Sequence, residues 1–132
     1  MKLYDKTFSV LEKSMDLAFK RHMVLSSNVA NSETPNFRAR DVDFAGELKK
    51  AAEGGTAEVG TSHPLHMDTS SNGEGHTVLD DSGAMGADGN NVDLDLAMGR
   101  LSENARSYSS AGTLIGVQLR LLKTAARGRG GA

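Results

Sequence analysis

Apolar residues recur four and three positions apart through the first part of the chain, the spacing of one face of an α-helix. The members of this row, the N-helix seam, are Tyr4, Phe8, Leu11, Met15, Ala18, His22, Leu25 and Val29. A second row repeats every seven residues on another side: Leu3, Val10, Leu17 and Val24. The pattern predicts a helix from Leu3 to about Val29 with two apolar sides, of which one partner helix can cover only one. The seam histidine is expected to pack or to set the register rather than to bind a ligand.

The same spacing returns near the C-terminal end and continues for more than four heptads. The members of this C-helix seam are Leu94, Met98, Leu101, Ala105, Tyr108, Gly112, Ile115, Leu119, Leu122 and Ala126, and a flank is added by Leu114, Val117 and Leu121. Asn91 or Asp93 can cap the start of the helix, and Gly128 can stop it. Gly112 on the seam indicates either close packing or a weak point.

Between the two helices the pattern changes at Thr34-Pro35, because proline cannot continue helical hydrogen bonding. The apolar residues that follow alternate with charged ones and predict a strand-like arm: Phe37, Ala39, Val42 and Phe44. A short helical turn is expected over 47–53. From Gly54 to Asn91 the chain is rich in Gly, Ser, Thr, Asn and Asp, which predicts a flexible insert that orders against partners. Within it, Thr77-Val78-Leu79 can form a short strand beside the arm.

These elements predict a mainly α fold, an antiparallel coiled-coil hairpin of two long helices with an extended, β-like arm and a flexible glycine-rich insert. The expected divisions are residues 1–33, 34–92 and 93–132. A two-helix hairpin is a poor core on its own, because each helix keeps an apolar side exposed. Exposed stripes of this length imply assembly, and identical hairpins joined head to tail without closing a ring build a helical tube.

Composition narrows the range of functions. The 132 residues allow at most one ordinary domain, and a net charge of −2 gives no basic field for nucleic acid. The chain has no cysteine, which excludes thiolate metal sites, disulfides and a cysteine nucleophile. No apolar run is long enough to span a bilayer, and the first residues lack the features of a cleaved signal peptide.

Candidate metal sites and enzyme chemistry find little support. His63, His66 and His76 come without a tight carboxylate or thiolate set, and a proline separates the first two. The acidic run 88–95 lacks the glycine and glutamate positions of an EF-hand loop. The sequence therefore predicts no cofactor, no metal and no catalytic residue.

The stretch Ser27-Asn28-Val29-Ala30-Asn31-Ser32-Glu33-Thr34-Pro35-Asn36-Phe37 resembles the signature of the flagellar axial proteins, the rod, hook and filament subunits. Its continuation to Phe44, the run 63–67, and the run 89–95 that opens the last helix are similar to the rod branch of that family. The chain departs from the pattern at Asn36, where the family most often has glycine. Asparagine tolerates left-handed backbone better than most residues, so the turn is expected to survive.

The resemblance implies a structural subunit of the flagellar basal-body rod. It is expected to be exported without a cleaved signal and to assemble across the periplasm. The partners implied are other copies of the chain, the rod proteins FlgC and FlgF, the adaptor FliE, the MS ring and the flagellar export apparatus, with no nucleic acid and no small-molecule substrate.

Two sets of residues are predicted to carry assembly. The first is the arm with its approach: Asn28, Val29, Ala30, Asn31, Thr34, Pro35, Phe37, Arg38, Arg40 and Phe44. The second consists of the two helix seams. The alternative is a soluble helical-hairpin adaptor or secretion chaperone, which would be a folded, closed oligomer at low concentration.

Overall fold

The computed structural model describes residues 2–53 and 77–128. It contains the helices α1 (Lys2–Ala30), α2 (Phe44–Glu53) and α3 (Leu94–Gly128), and the strands β1 (Arg40–Val42) and β2 (Thr77–Leu79). The predicted extents of both long helices are confirmed to within one or two residues. The histidines at 63, 66 and 76 and most of the glycine-rich insert lie outside the described residues, as does the side chain of Tyr4.

The two long helices lie side by side and run in opposite directions. Near the middle of the pair, the Asn104 amide donates to the backbone oxygen of Ala18 at 2.7 Å. Closer to the start of α1, Met15 lies beside Gly112, where an added Cβ would be 3.9 Å from the Met15 Cε. At 29 and 35 residues, the helices are about 43 and 52 Å long.

The core of the described residues is thin and built largely from small side chains. Its buried apolar members are Leu17, Ala18, Leu25, Ala39, Val42, Ala97 and Ala111. Helix α3 contributes only Ala97, Asn104 and Ala111, each seven residues from the next, with Leu101 and Ile115 half-buried beside them. A surface of small residues lets α3 approach α1 closely, but it buries little apolar area.

Within one chain, α3 does not pack on α1 through most of the C-helix seam. Of its members, Leu94, Met98, Tyr108, Leu119 and Leu122 are 41–51% exposed. The packing face is rotated toward the row of alanines and asparagine, so most large apolar residues of α3 point to solvent.

On α1 the structure merges the two predicted rows into one broad inner face. Leu17 from one row and Ala18 and Leu25 from the other are fully buried, and Phe8, Leu11 and Met15 are half-buried. His22 is exposed, so it neither packs nor sets a register inside this chain.

The arm is shorter as a strand than predicted. Only Arg40–Val42 is a strand, and Phe44 already begins α2. Asp43 causes the change: its side chain accepts from the Gly46 amide at 3.1 Å and its backbone oxygen from Glu47 at 3.1 Å, which caps a helix.

The predicted strand Thr77–Leu79 is confirmed. It pairs antiparallel with β1 in the register Arg40 with Leu79 and Val42 with Thr77. Residues 80–91, predicted as part of the flexible insert, are instead held by the same chain, because Asn90 and Asn91 are buried. No described helix is long and apolar enough to cross a membrane.

Candidate functional site

The predicted arm and its approach meet the start of α3 at one end of the molecule. We call this region the junction; it comprises residues 28–43 and 77–93. Buried asparagine side chains, rather than large apolar groups, hold it together.

The chain leaves α1 through a sequence of tight turns. The Ser32 amide donates to the Val29 oxygen at 3.2 Å and the Thr34 amide to the Asn31 oxygen at 3.1 Å. Asn36 then takes a left-handed conformation, with φ of 61°, and its amide donates to the Asp88 oxygen at 2.9 Å. Asparagine therefore serves where the family most often has glycine. Gly89, with φ of 79°, lies directly against Asn36.

Asn90 binds three carbonyl groups of this exit, two of which also accept from backbone amides. Its side-chain amide is 2.9 Å from the oxygen of Asn31, 3.0 Å from that of Ser32 and 2.8 Å from that of Thr34. Its own side-chain oxygen accepts from the Val92 amide at 2.7 Å. One buried side chain thus ties the end of α1 to the start of α3, although some sixty residues separate them in sequence.

Asn91 completes the small sheet. The Asp80 amide donates to the Ala39 oxygen at 2.9 Å, and a regular antiparallel pair would return a bond from the Ala39 amide to the Asp80 oxygen. Here the Asn91 carboxamide is inserted instead. Its oxygen accepts from Ala39 at 2.7 Å and its nitrogen donates to the Asp80 oxygen at 2.8 Å.

On the other edge of the arm, the Asn28 side chain binds both backbone groups of one residue. Its carboxamide donates to the Arg40 oxygen at 2.7 Å and accepts from the Arg40 amide at 3.0 Å. The arm is therefore bonded to α1 through one asparagine and to the root of α3 through another. No buried side-chain nitrogen or oxygen among the described residues lacks a hydrogen-bond partner.

Ion pairs add to this arrangement. Arg21 of α1 donates to both oxygens of Asp41, each at 2.7 Å, and this bond with Asp41 raises the pKa of the guanidinium despite its partial burial. Arg100 of α3 pairs with Asp80. Burial alone would raise the pKa of Asp80, but hydrogen bonds from Ser82 and the charge of Arg100 outweigh it, so its pKa lies below the ordinary value.

The residues of the predicted arm set differ in burial and fall into three groups. Asn28 is buried, Val29, Asn31, Phe37 and Phe44 are half-buried, and Ala30, Thr34, Pro35, Arg38 and Arg40 are exposed. Phe44 lines a shallow groove with Arg21, Asp41 and Leu79. Arg38 forms an ion pair with exposed Asp81 at 2.5 Å.

Sequence patterns did not reveal the roles of Asn90, Asn91 and Asn104. Of the two predicted caps, Asn91 and Asp93, it is Asp93 that caps the helix, since its side chain accepts from the Leu96 amide at 3.0 Å. One signal was available: Ala97, Asn104 and Ala111 form a row of small residues seven apart. Among the described residues, no group of three or more His, Cys, Asp or Glu side chains is placed to hold a metal.

No protein-family model matches the sequence. Individual proteins do. The chain is 33% identical over 128 residues to the flagellar basal body rod protein FlgB of Proteus mirabilis strain HI4320, covering 88% of this chain and 90% of that one. It is 34% identical to the FlgB of Yersinia enterocolitica over 83% of this chain and 85% of the relative, and 30% identical to that of Salmonella typhimurium over 88% and 89%.

A thin core, a polar junction and long exposed apolar rows are features typical of a structural protein that assembles with other subunits. The relatives specify which: the chain belongs to the FlgB family of flagellar basal body rod proteins. They do not favour the adaptor or chaperone alternative.

Proposed function

We propose that this chain is a structural subunit of the flagellar basal-body rod that joins other copies and other rod proteins in a helical tube. The tube would transmit torque and form part of the wall of the export channel. The periplasmic part of the basal body is its proposed location, reached by export without a cleaved signal. FlgC, FlgF, FliE, the MS ring and the export apparatus are its proposed neighbours.

The exposed surface of α3 is the observation that carries the proposal. Large apolar side chains along this helix are 38–57% exposed: Leu94, Leu96, Met98, Tyr108, Leu114, Val117, Leu119, Leu121 and Leu122. Monomeric proteins rarely expose apolar patches of the size that these side chains form toward each end of α3. Because the inner face of α3 already lies on α1, other subunits must cover the outer one.

The junction suits a second role in assembly. Its inner hydrogen bonds fix the arm on both edges, while Pro35, Asn36 and Arg40 remain exposed. We propose that these outward groups, with Phe37 and Phe44 beneath them, lock each subunit against its neighbours.

A paired substitution tests the seam. Leu119→Asp with Leu122→Asp places two carboxylates on the exposed apolar row and should abolish swimming and rod assembly in a strain that lacks its own copy of the gene. The matched control, Ser102→Asp with Ser109→Asp, adds the same charge at exposed polar positions of α3. Retained motility in the leucine variant would contradict the proposal; loss in both variants would remove the seam's special role.

The arm is tested separately. Phe37→Ala and Phe44→Ala should impair rod assembly while the chain is still exported and recovered in the culture medium. Both side chains are only half-buried, so the free chain should remain folded. Normal assembly of both variants would refute the lock.

A further inference from the structure

Charge is divided between the two ends of the molecule. At the junction end, residues 31–43 and 77–96 contain eight acidic and two basic side chains. At the opposite end, residues 2–13 and 114–128 contain two acidic and six basic side chains. The near-neutral total charge of −2 therefore conceals a strongly polarised chain.

Internal ion pairs do not cancel this polarity. At the junction end, Arg21, Arg38 and Arg100 neutralise three of the aspartates. The other acidic groups are exposed and form no ion pair with the residues that the structure describes: Glu33, Asp43, Asp88, Asp93 and Asp95. At the opposite end, Arg120, Lys123 and Arg127 are likewise exposed and form no ion pair with the described residues.

The exposed apolar residues of α3 are divided in the same way. Leu94, Leu96 and Met98 lie among the acidic groups, and a second set between Leu114 and Leu122 lies among the basic ones. Between them, apart from Tyr108 and Ala105, the outer surface of α3 is polar and exposed: Ser102, Ser107, Ser109, Ser110 and Thr113. The hydroxyls of Ser107, Ser110 and Thr113 already donate to backbone oxygens of their own helix, so the division of charge, rather than desolvation, is what favours contact at the ends.

We propose that copies of this chain join end to end, with the basic, leucine-rich end of α3 of one copy on the acidic, leucine-rich end of the next. This inference rests on the proposed rod function and adds the surface and the direction of the contact between copies. Apolar contact supplies the affinity, and the opposite charges exclude like ends from meeting. Because the two surfaces differ, the contact is heterologous and one copy can always accept another.

The first test is sedimentation of the purified full-length chain over a range of protein concentrations at low and high salt. We expect species larger than a dimer at about 50 mM salt, and an apparent dissociation constant weakened at least about tenfold at about 0.5 M salt, because exposed charges are screened there. A complex that stops at a dimer, association that does not respond to salt, or no association would each overturn the proposal.

Charge reversal supplies the second test. Arg120→Glu with Lys123→Glu cancels the net positive charge of the basic end, and Glu33→Lys with Asp95→Lys gives the acidic end basic groups. Each variant alone should remain a monomer, while an equal mixture should associate as the wild type does, which also shows that both variants are folded. The control Arg106→Glu reverses an exposed charge halfway along α3 and should leave association unchanged.

Self-association of either reversed variant alone, or failure of the mixture, would overturn the end-to-end contact. Recovery of these chains from isolated basal bodies separates the two proposals. If the wild type enters the rod but the reversed variants also enter it normally, the contact is wrong and the rod function stands. If the wild type does not enter the rod, the function itself is wrong.

Discussion

Replacing Asn91 by alanine should destabilise the junction. The substitution removes the carboxamide that lies between the Ala39 amide and the Asp80 oxygen. Ala39 is buried, so water cannot readily take its place. A buried polar group left without a partner costs about 1–3 kcal/mol, and two such groups give about 2–6 kcal/mol. The total free energy of unfolding of a small domain is about 5–15 kcal/mol, so this loss is a large share of it.

The isosteric variant Asn91→Asp separates the lost hydrogen bonds from the lost volume. Its introduced carboxylate can still accept from the Ala39 amide but faces the Asp80 oxygen without a proton to donate. At neutral pH it should be at least as destabilised as the alanine variant. Protonation restores the donor, so the carboxyl should have a raised pKa in the folded chain. Its stability relative to the wild type should therefore recover as the pH falls below that folded pKa.

Urea unfolding followed by far-ultraviolet circular dichroism measures the free energy, and amide hydrogen exchange at Ala39 measures the junction directly. The alanine variant should lose protection at Ala39 before the helices unfold. A change in unfolding free energy below about 0.5 kcal/mol, the size expected of an ordinary surface substitution, would refute the role assigned to Asn91. Equal stability of Asn91→Asp and the wild type at neutral pH would refute the donor–acceptor assignment.

Three further predictions concern stability. Gly112→Ala should raise the free energy of unfolding of the isolated chain by about 0.5–1 kcal/mol, because the new Cβ would meet only Met15 at 3.9 Å; a loss measured by urea unfolding would mean that the helices approach more closely than described. Gly89→Ala should cost about 1–2 kcal/mol, since φ is 79° and the Cβ would lie 2.5 Å from the Asn36 side-chain oxygen; an unchanged urea midpoint would contradict this. The pKa of Asp80 is lowered by folding, by hydrogen bonds from Ser82 and then by Arg100, so these interactions stabilise the chain above the ordinary pKa and are lost as pH falls through the lower folded value. Asp80→Asn should flatten that acid limb of the stability curve, and an unaltered limb would count against the pair.

The helices were predictable from sequence because period and breakers are local properties. The four-three spacing identified α1 and α3, Thr34-Pro35 marked the exit from α1, and the β-branched Thr77 and Val78 marked β2. Asn36 adopts the left-handed conformation that its residue type allows. These features depend on a few neighbouring residues each.

The packing face of α3 was not predictable in the same way. A helical row chosen for its hydrophobicity contains Leu94, Met98, Leu119 and Leu122. Such a row indicates that these side chains need a covering surface, but it does not tell whether that surface belongs to the same chain or to another one. Inside one chain, the small residues Ala97 and Ala111 form the contact, because they allow the backbones to come close. Asn90 and Asn91 were missed for a different reason: a carboxamide has no period, and its partners are brought near it only by the complete fold.

The distribution of these bonds makes the molecule mechanically uneven along its length. Any displacement of the start of α3 relative to the end of α1 must stretch the bonds of Asn28, Asn90 and Asn91 together, so that no single bond bears the load. From Gly112 to Gly128, by contrast, no residue of α3 is buried. The junction is thus held by several buried hydrogen bonds, whereas the last part of α3 is held to α1 by half-buried contacts.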